Sequence, residues 1–160
     1  MSRYDPFYSM LEESIVLYSN MLDFEKSKYQ VIVQKDITQL EEMLKVEQAM
    51  IMKASVLEKN RSSLQTQLGE EGLTLLEMAQ AAQPDDKERL LSYRQNLLGM
   101  LESIKEINAK SLQLVELRLK NSEATLERSG YIQDLHTYDG TGTVSDNNAG
   151  INKSLITKNV

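Results

Sequence analysis

The chain has no cysteine and no tryptophan, only 2 prolines and 7 glycines, and a single histidine. Without cysteine, neither a disulfide framework nor a thiolate metal site is available. So little proline and glycine, beside abundant Leu, Glu, Lys, Gln and Ser, excludes a turn-rich sheet protein and favours long helices. No apolar run approaches the length of a membrane span, and Met1-Ser-Arg-Tyr-Asp-Pro shows no apolar stretch behind a basic start. The expectation is a cytoplasmic protein with no stable membrane insertion. The net charge of −6 is spread out, with no basic face for phosphates, so nucleic acid is not an expected partner. Chemistry is equally poorly supplied. His136 stands alone, so neither paired Glu-x-x-His ligands nor a Ser, His and Asp set can be written. No glycine-rich loop precedes a helix at phosphate-cradling spacing. The chain reads as a non-enzyme with no cofactor and no metal.

What the sequence does hold is helical periodicity, organised around the stretch from Asp85 to Arg128. Asp85 and Glu88 form a capping signal behind Pro84, no proline follows, and Gly130 is a stop. Leu90, Arg94, Leu97, Leu101, Ile104, Asn108, Ser111, Val115, Arg118 and Ser122 fall on one seam, apolar in its first half and increasingly polar in its second. Leu91, Leu98, Ile107, Leu112, Leu114 and Leu119 widen the stripe. Such a helix is roughly 60 Å long and must lie along other helices to bury that stripe.

Asp5-Pro6 reads as a cap and first helical residue for a helix over 6–34, with Phe7, Met10, Leu11, Ile15, Tyr18, Met21 and Leu22 among its apolar positions. Asp36 and Gln39 cap a second helix over 37–68. Its seam is Leu40, Met43, Glu47, Met50, Ala54, Leu57, Arg61, Leu64 and Leu68, ended by Gly69. No Gly or Pro separates the two, yet a bundle requires a hairpin there. Glu47 and Arg61 lie about 21 Å apart on the helix axis, so each needs water or a partner on a neighbouring helix. Register specification is the plain reading of the seam polar residues (Glu47, Arg61, Arg94, Asn108, Arg118), and a partner groove is the sharper one. Met43, Met50 and Met100 read first as core. Residues 72–82 form a short helix, with Leu73, Leu76 and Ala79 covering one end of the bundle. The fold class is all-α: an elongated antiparallel bundle or coiled coil of three long helices and one short one. It is expected to comprise a helical domain over 1–129 and a polar tail over 130–160. Residues 137–154 hold Thr, Ser, Asn, Asp and Gly and read as mobile. Tyr131, Ile132 and Leu135 precede that stretch and Tyr138 stands at its start, while Ile151, Leu155 and Ile156 accompany its end. These apolar residues are either incidental or a segment that docks.

The order and separation of these features resemble the FlgN-like flagellar export chaperones over most of residues 8–139. The resemblance rests on Gln34-Lys35-Asp36, Leu40, Glu47, Leu57-Glu58-Lys59-Asn60-Arg61, Pro84 and Ile107-Asn108. Tyr138-Asp139-Gly140 and Asn152-Lys153-Ser154 in the tail add to it. Where members often carry a second Asn after Asn108, this chain has Ser111, which keeps polarity but loses the amide.

The resemblance implies a cytosolic, non-enzymatic chaperone for the hook–filament junction proteins. Such a protein binds a C-terminal amphipathic helix of its cargo, prevents premature assembly, and delivers the cargo to the cytoplasmic domain of the flagellar export gate. Helix-in-groove recognition is the physical counterpart. Because apolar residues persist where the long helix turns polar, the expected cargo face is Leu112, Val115, Leu119, Leu126, Tyr131, Ile132 and Leu135. Tyr131 and Tyr138 are candidates for the gate contact. The rival reading is a self-associating coiled-coil tether without dedicated cargo, since a groove not holding cargo can bury itself in a homo-oligomer. A third class, a helical-bundle enzyme with a bound cofactor, finds no supporting motif.

Overall fold

A computed structural model describes residues 1–128 as four helices. They are α1 (Asp5–Gln34), α2 (Ile37–Leu68), α3 (Leu75–Ala81) and α4 (Pro84–Arg128). The tail predicted over 130–160 lies outside the described residues. The α1 and α2 helices form the expected hairpin, and the turn is made without glycine. Lys35 takes the left-handed conformation itself, at φ 61° and ψ 29°. Its amide donates to the Ile32 carbonyl at 3.2 Å, and the Asp36 amide donates to that of Val31 at 3.3 Å, which closes a Schellman motif. Asp36 then caps α2, its carboxylate accepting from the Gln39 amide at 3.0 Å.

A left-handed non-glycine residue costs about 1–2 kcal/mol. Lys35→Gly should therefore stabilise the bundle by roughly 0.5–1 kcal/mol, after allowance for the looser unfolded chain of a glycine. The urea midpoint should rise accordingly; an unchanged or lower one would mean that the lysine side chain itself supports the turn.

Two predicted caps are displaced. Tyr4, not Asp5, precedes α1 as its cap, and it makes no side-chain capping bond. The Asp5 carboxylate instead accepts from the Ser2 amide at 3.1 Å. Likewise α4 starts at Pro84, because the Gln83 carbonyl already accepts the Lys87 amide at 2.8 Å. Asp85 thus lies inside the first turn, where with Asp86 it faces the positive end of the helix dipole rather than capping it. Proline explains the second displacement: its fixed φ and missing N–H suit the first helical position.

The α1 helix is the common member of the bundle, packing on both α2 and α4, while α3 packs on α4. That revises the picture of the long helix as organiser. Phe7, Tyr8, Met10, Leu11, Leu17, Tyr18, Met21, Val31 and Ile32 are buried along α1. On α4 only Leu90, Leu97, Ile104 and Ser111 are buried. Those positions recur every seventh residue on the predicted seam, as a supercoiled contact requires. On α2 the buried residues are Ala54, Leu57 and Arg61 of the predicted seam, joined by Gln65.

The short helix opens with a full capping box between Thr74 and Glu77. It buries Leu75, Met78 and Ala79. Leu76 faces outward and Leu73 is half-buried, so the covering face is turned from the predicted one. Two turns of helix carry too little periodicity to fix a face.

Candidate docking groove

Contacts between side chains set the helices in register from one end to the other. At the α3 end, the Tyr8 hydroxyl donates to Asp86 Oδ1 at 2.7 Å and the Ser2 hydroxyl to the same oxygen at 2.8 Å. These two bonds, Tyr8 first, hold the Asp86 carboxyl below its ordinary range. The Tyr4 hydroxyl donates to Glu70 Oε1 at 2.6 Å, and Arg3 pairs with the same carboxylate. The Tyr93 hydroxyl reaches Glu12 Oε1 at 2.6 Å, and the Arg89 guanidinium lies 4.0 Å from the Tyr8 ring centroid. Paired Tyr8–Asp86 and Glu12–Tyr93 contacts show that α1 and α4 run parallel. Each of these side chains is engaged with another part of the fold, so this end reads as a closure.

Midway lies a buried charge cluster. Lys28 Nζ is 2.8 Å from Glu25 Oε2 and 2.7 Å from Glu47 Oε1 across the α1–α2 interface. Glu47 thus finds its partner on a neighbouring helix. The other seam interruption, Arg61, has Glu58 at 3.8 Å on its own helix and lies with Tyr18 at a small cavity. Burial lowers the Arg61 pKa and pushes the Tyr18 hydroxyl up to about 12. Register specification therefore describes Glu47 well, whereas the ion-pair partner of Arg61 is on its own helix.

The opposite end is different. Arg118 of α4 spans to the C-terminus of α1, its Nη1 donating to the Ile32 carbonyl and its Nη2 to that of Val33 at 2.8 Å. A cation on the last carbonyls of a helix satisfies orphan acceptors and opposes the negative end of the dipole. Beyond Arg118, α4 continues to Arg128, overhanging the hairpin by about 15 Å. Between this overhang and the hairpin turn runs an open groove with a volume of about 810 Å³. Val31, Ile32, Ile37 and Leu40 form one wall; Val115, Leu119 and Leu126 form the apolar part of the other. Ile37 is 70% exposed, Leu119 58% and Leu126 36%. Large side chains thus stand in water beside Val31 and Ile32, which are buried.

Three of the seven residues expected to face cargo (Val115, Leu119 and Leu126) meet in this groove. Leu112 is exposed but does not line it. Tyr131, Ile132 and Leu135, and with them the gate candidate Tyr138, lie outside the described residues. The hairpin wall was not anticipated. Its one available signal was Ile37, a large apolar residue set directly after a cap, where a polar first turn is usual. Arg118 belongs to both readings of the seam polar residues, since it caps α1 and also borders the groove. Arg94 and Asn108 are half-buried. Met50 and Met100 pack against the core as expected, and Met43 is half-buried.

Among the described residues no acidic or histidine cluster could hold a metal ion, and no helix is long and apolar enough to cross a membrane. No curated protein and no solved structure matches the chain. The family model of the FlgN protein matches residues 1–145. With all four helices inside that match, the chain belongs to the FlgN family, a family of flagellar export chaperones.

Proposed function

We propose that the groove beside the α4 overhang receives an amphipathic helix from the C-terminal segment of a hook–filament junction protein. The chain would keep that segment from assembling early and deliver it to the cytoplasmic domain of the export gate. Members of the family bind flagellar hook-associated proteins. The observation that carries the reading is a groove with an apolar wall on each side and large side chains still exposed to water. Burying Leu119, Leu126 and Ile37 against a partner would contribute about 1.5–3 kcal/mol per fully covered side chain. Helix-in-groove recognition uses such anchors at three- and four-residue spacing. Tyr131, Ile132 and Leu135 follow α4 closely enough in sequence to extend the contact, and Tyr131 and Tyr138 are proposed for the gate. In this reading the protein works in the cytoplasm.

Calorimetric titration with the C-terminal segments of the two junction proteins tests this. The full chain should bind one of them at submicromolar Kd, and a Tyr131→Asp/Ile132→Asp/Leu135→Asp chain should bind more weakly. Equal binding by the two chains would confine the site to the groove. Absence of binding by both, with a stable oligomer in sedimentation, would favour the self-associating tether.

A further inference from the structure

We propose that in the cargo-free protein the same groove is covered by the chain's own segment 151–156, so that cargo binds by displacing it. The inference rests on the groove being the cargo site, and it assigns a second occupant to it. Leu126 lines the groove, and α4 ends two residues later at Arg128, so the remaining chain sets out from the groove's own mouth. From residue 139 to residue 150 that chain offers little beyond Asp, Gly, Thr, Ser and Asn. Ile151, Leu155 and Ile156 then follow. Were the segment to dock as a helix, Ile151 and Leu155, four residues apart, would share a face with Ile156 at its edge.

Reach and concentration favour this occupant over a second copy. About 23 residues separate Arg128 from Ile151. A flexible linker of that length spans roughly 26 Å or more on average, against about 17 Å along α4 from Val115 to Leu126. A tether matched to its span gives an effective concentration in the millimolar range. A contact with a millimolar Kd, too weak to hold two separate molecules together at micromolar concentration, would therefore fill the groove about half the time or more. Cargo affinity falls by the fraction of molecules whose groove is covered.

The test uses the full chain and its Ile151→Asp/Leu155→Asp variant, with methyl NMR of the groove residues Ile37, Leu119 and Leu126. Those methyl resonances should differ between the two cargo-free chains, while core methyls such as Leu90 coincide and helicity is unchanged. The junction-protein C-terminal segment should bind the variant two- to tenfold more tightly. Coincident groove methyls in the two chains would overturn the proposal. So would groove shifts that depend on protein concentration alike in both chains, which would assign the groove to a second copy. If the groove methyls differ but neither chain binds the cargo segment, self-docking stands and the cargo reading fails.

Discussion

A Glu25→Gln chain is expected to be more stable than its parent at pH 8, and to lose the decline in stability that the parent shows between pH 5 and pH 8. Glu25 is 2% exposed, and its Oε2 lies at ion-pair distance from Lys28 without the angle of a hydrogen bond. Burial, reinforced by the nearby Glu47 carboxyl, pushes its pKa up to about 7, against the pull of Lys28. Burial alone would lower Lys28, but its pairing with the Glu25 and Glu47 carboxylates outweighs that and raises it. One buried ammonium between the buried Glu25 carboxylate and the half-buried Glu47 carboxylate leaves a net negative charge, which a single proton removes.

The sign follows from linkage. The folded chain holds the Glu25 proton up to about pH 7, whereas the unfolded chain releases it near 4.5. The stability from this site is therefore complete below about pH 4.5 and is lost as pH rises through 7. Its full size is of order 3 kcal/mol. A neutral amide keeps the shape and the Lys28–Glu47 pair while removing the surplus charge at every pH. Asp86 and Glu77, whose carboxyls are held below their ordinary values, act only at more acidic pH and leave this window clear. Urea titrations of parent and variant at pH 5 and pH 8 decide the matter: a variant that keeps the parent's slope would place the titrating proton elsewhere.

The second large effect is on binding. Leu119→Asp with Leu126→Asp should weaken the junction-protein segment at least 100-fold, about 2.7 kcal/mol, with helicity and urea midpoint nearly unchanged. Both side chains are exposed and line the groove, and no buried residue lies beyond Ser111 on α4. Two carboxylates there cost the fold little, yet any apolar partner must desolvate them. Loss of the fold in the double variant would mean that these residues are held as core, and the groove assignment would fail. Leu112→Asp is the matched control. It is as exposed as Leu119 but outside the groove, so it should leave affinity within about twofold.

Periodicity made the long helices legible. The α4 seam was readable because a seven-residue repeat fixes one face however the helix is placed, and Leu90, Leu97, Ile104 and Ser111 all fall on it. Which helix would be shared could not be read that way, since the seams of α1 and α4 carry no mark of spatial order. Glu25 and Lys28 escaped notice for a related reason. Two charges three residues apart look like a solvated face, and only Glu47 on α2 draws Lys28 inward. For the groove, α4's share was visible in its persisting leucines. The other wall required knowing that Ile32 and Arg118, remote in sequence, are neighbours in space.

Arg118 also divides the molecule mechanically. Up to that residue, α4 is fastened to α1 by side chains whose release would open the core. After it, residues 119–128 are all exposed, so this stretch of helix buries little surface against the body of the bundle. Helical turns that bury little surface open far more readily than a packed core. One groove wall can therefore unravel and rewind many times while the body of the bundle stays folded. If the groove docks a partner helix as proposed, fraying of this wall can release that helix with no need to dissolve the scaffold that carries it.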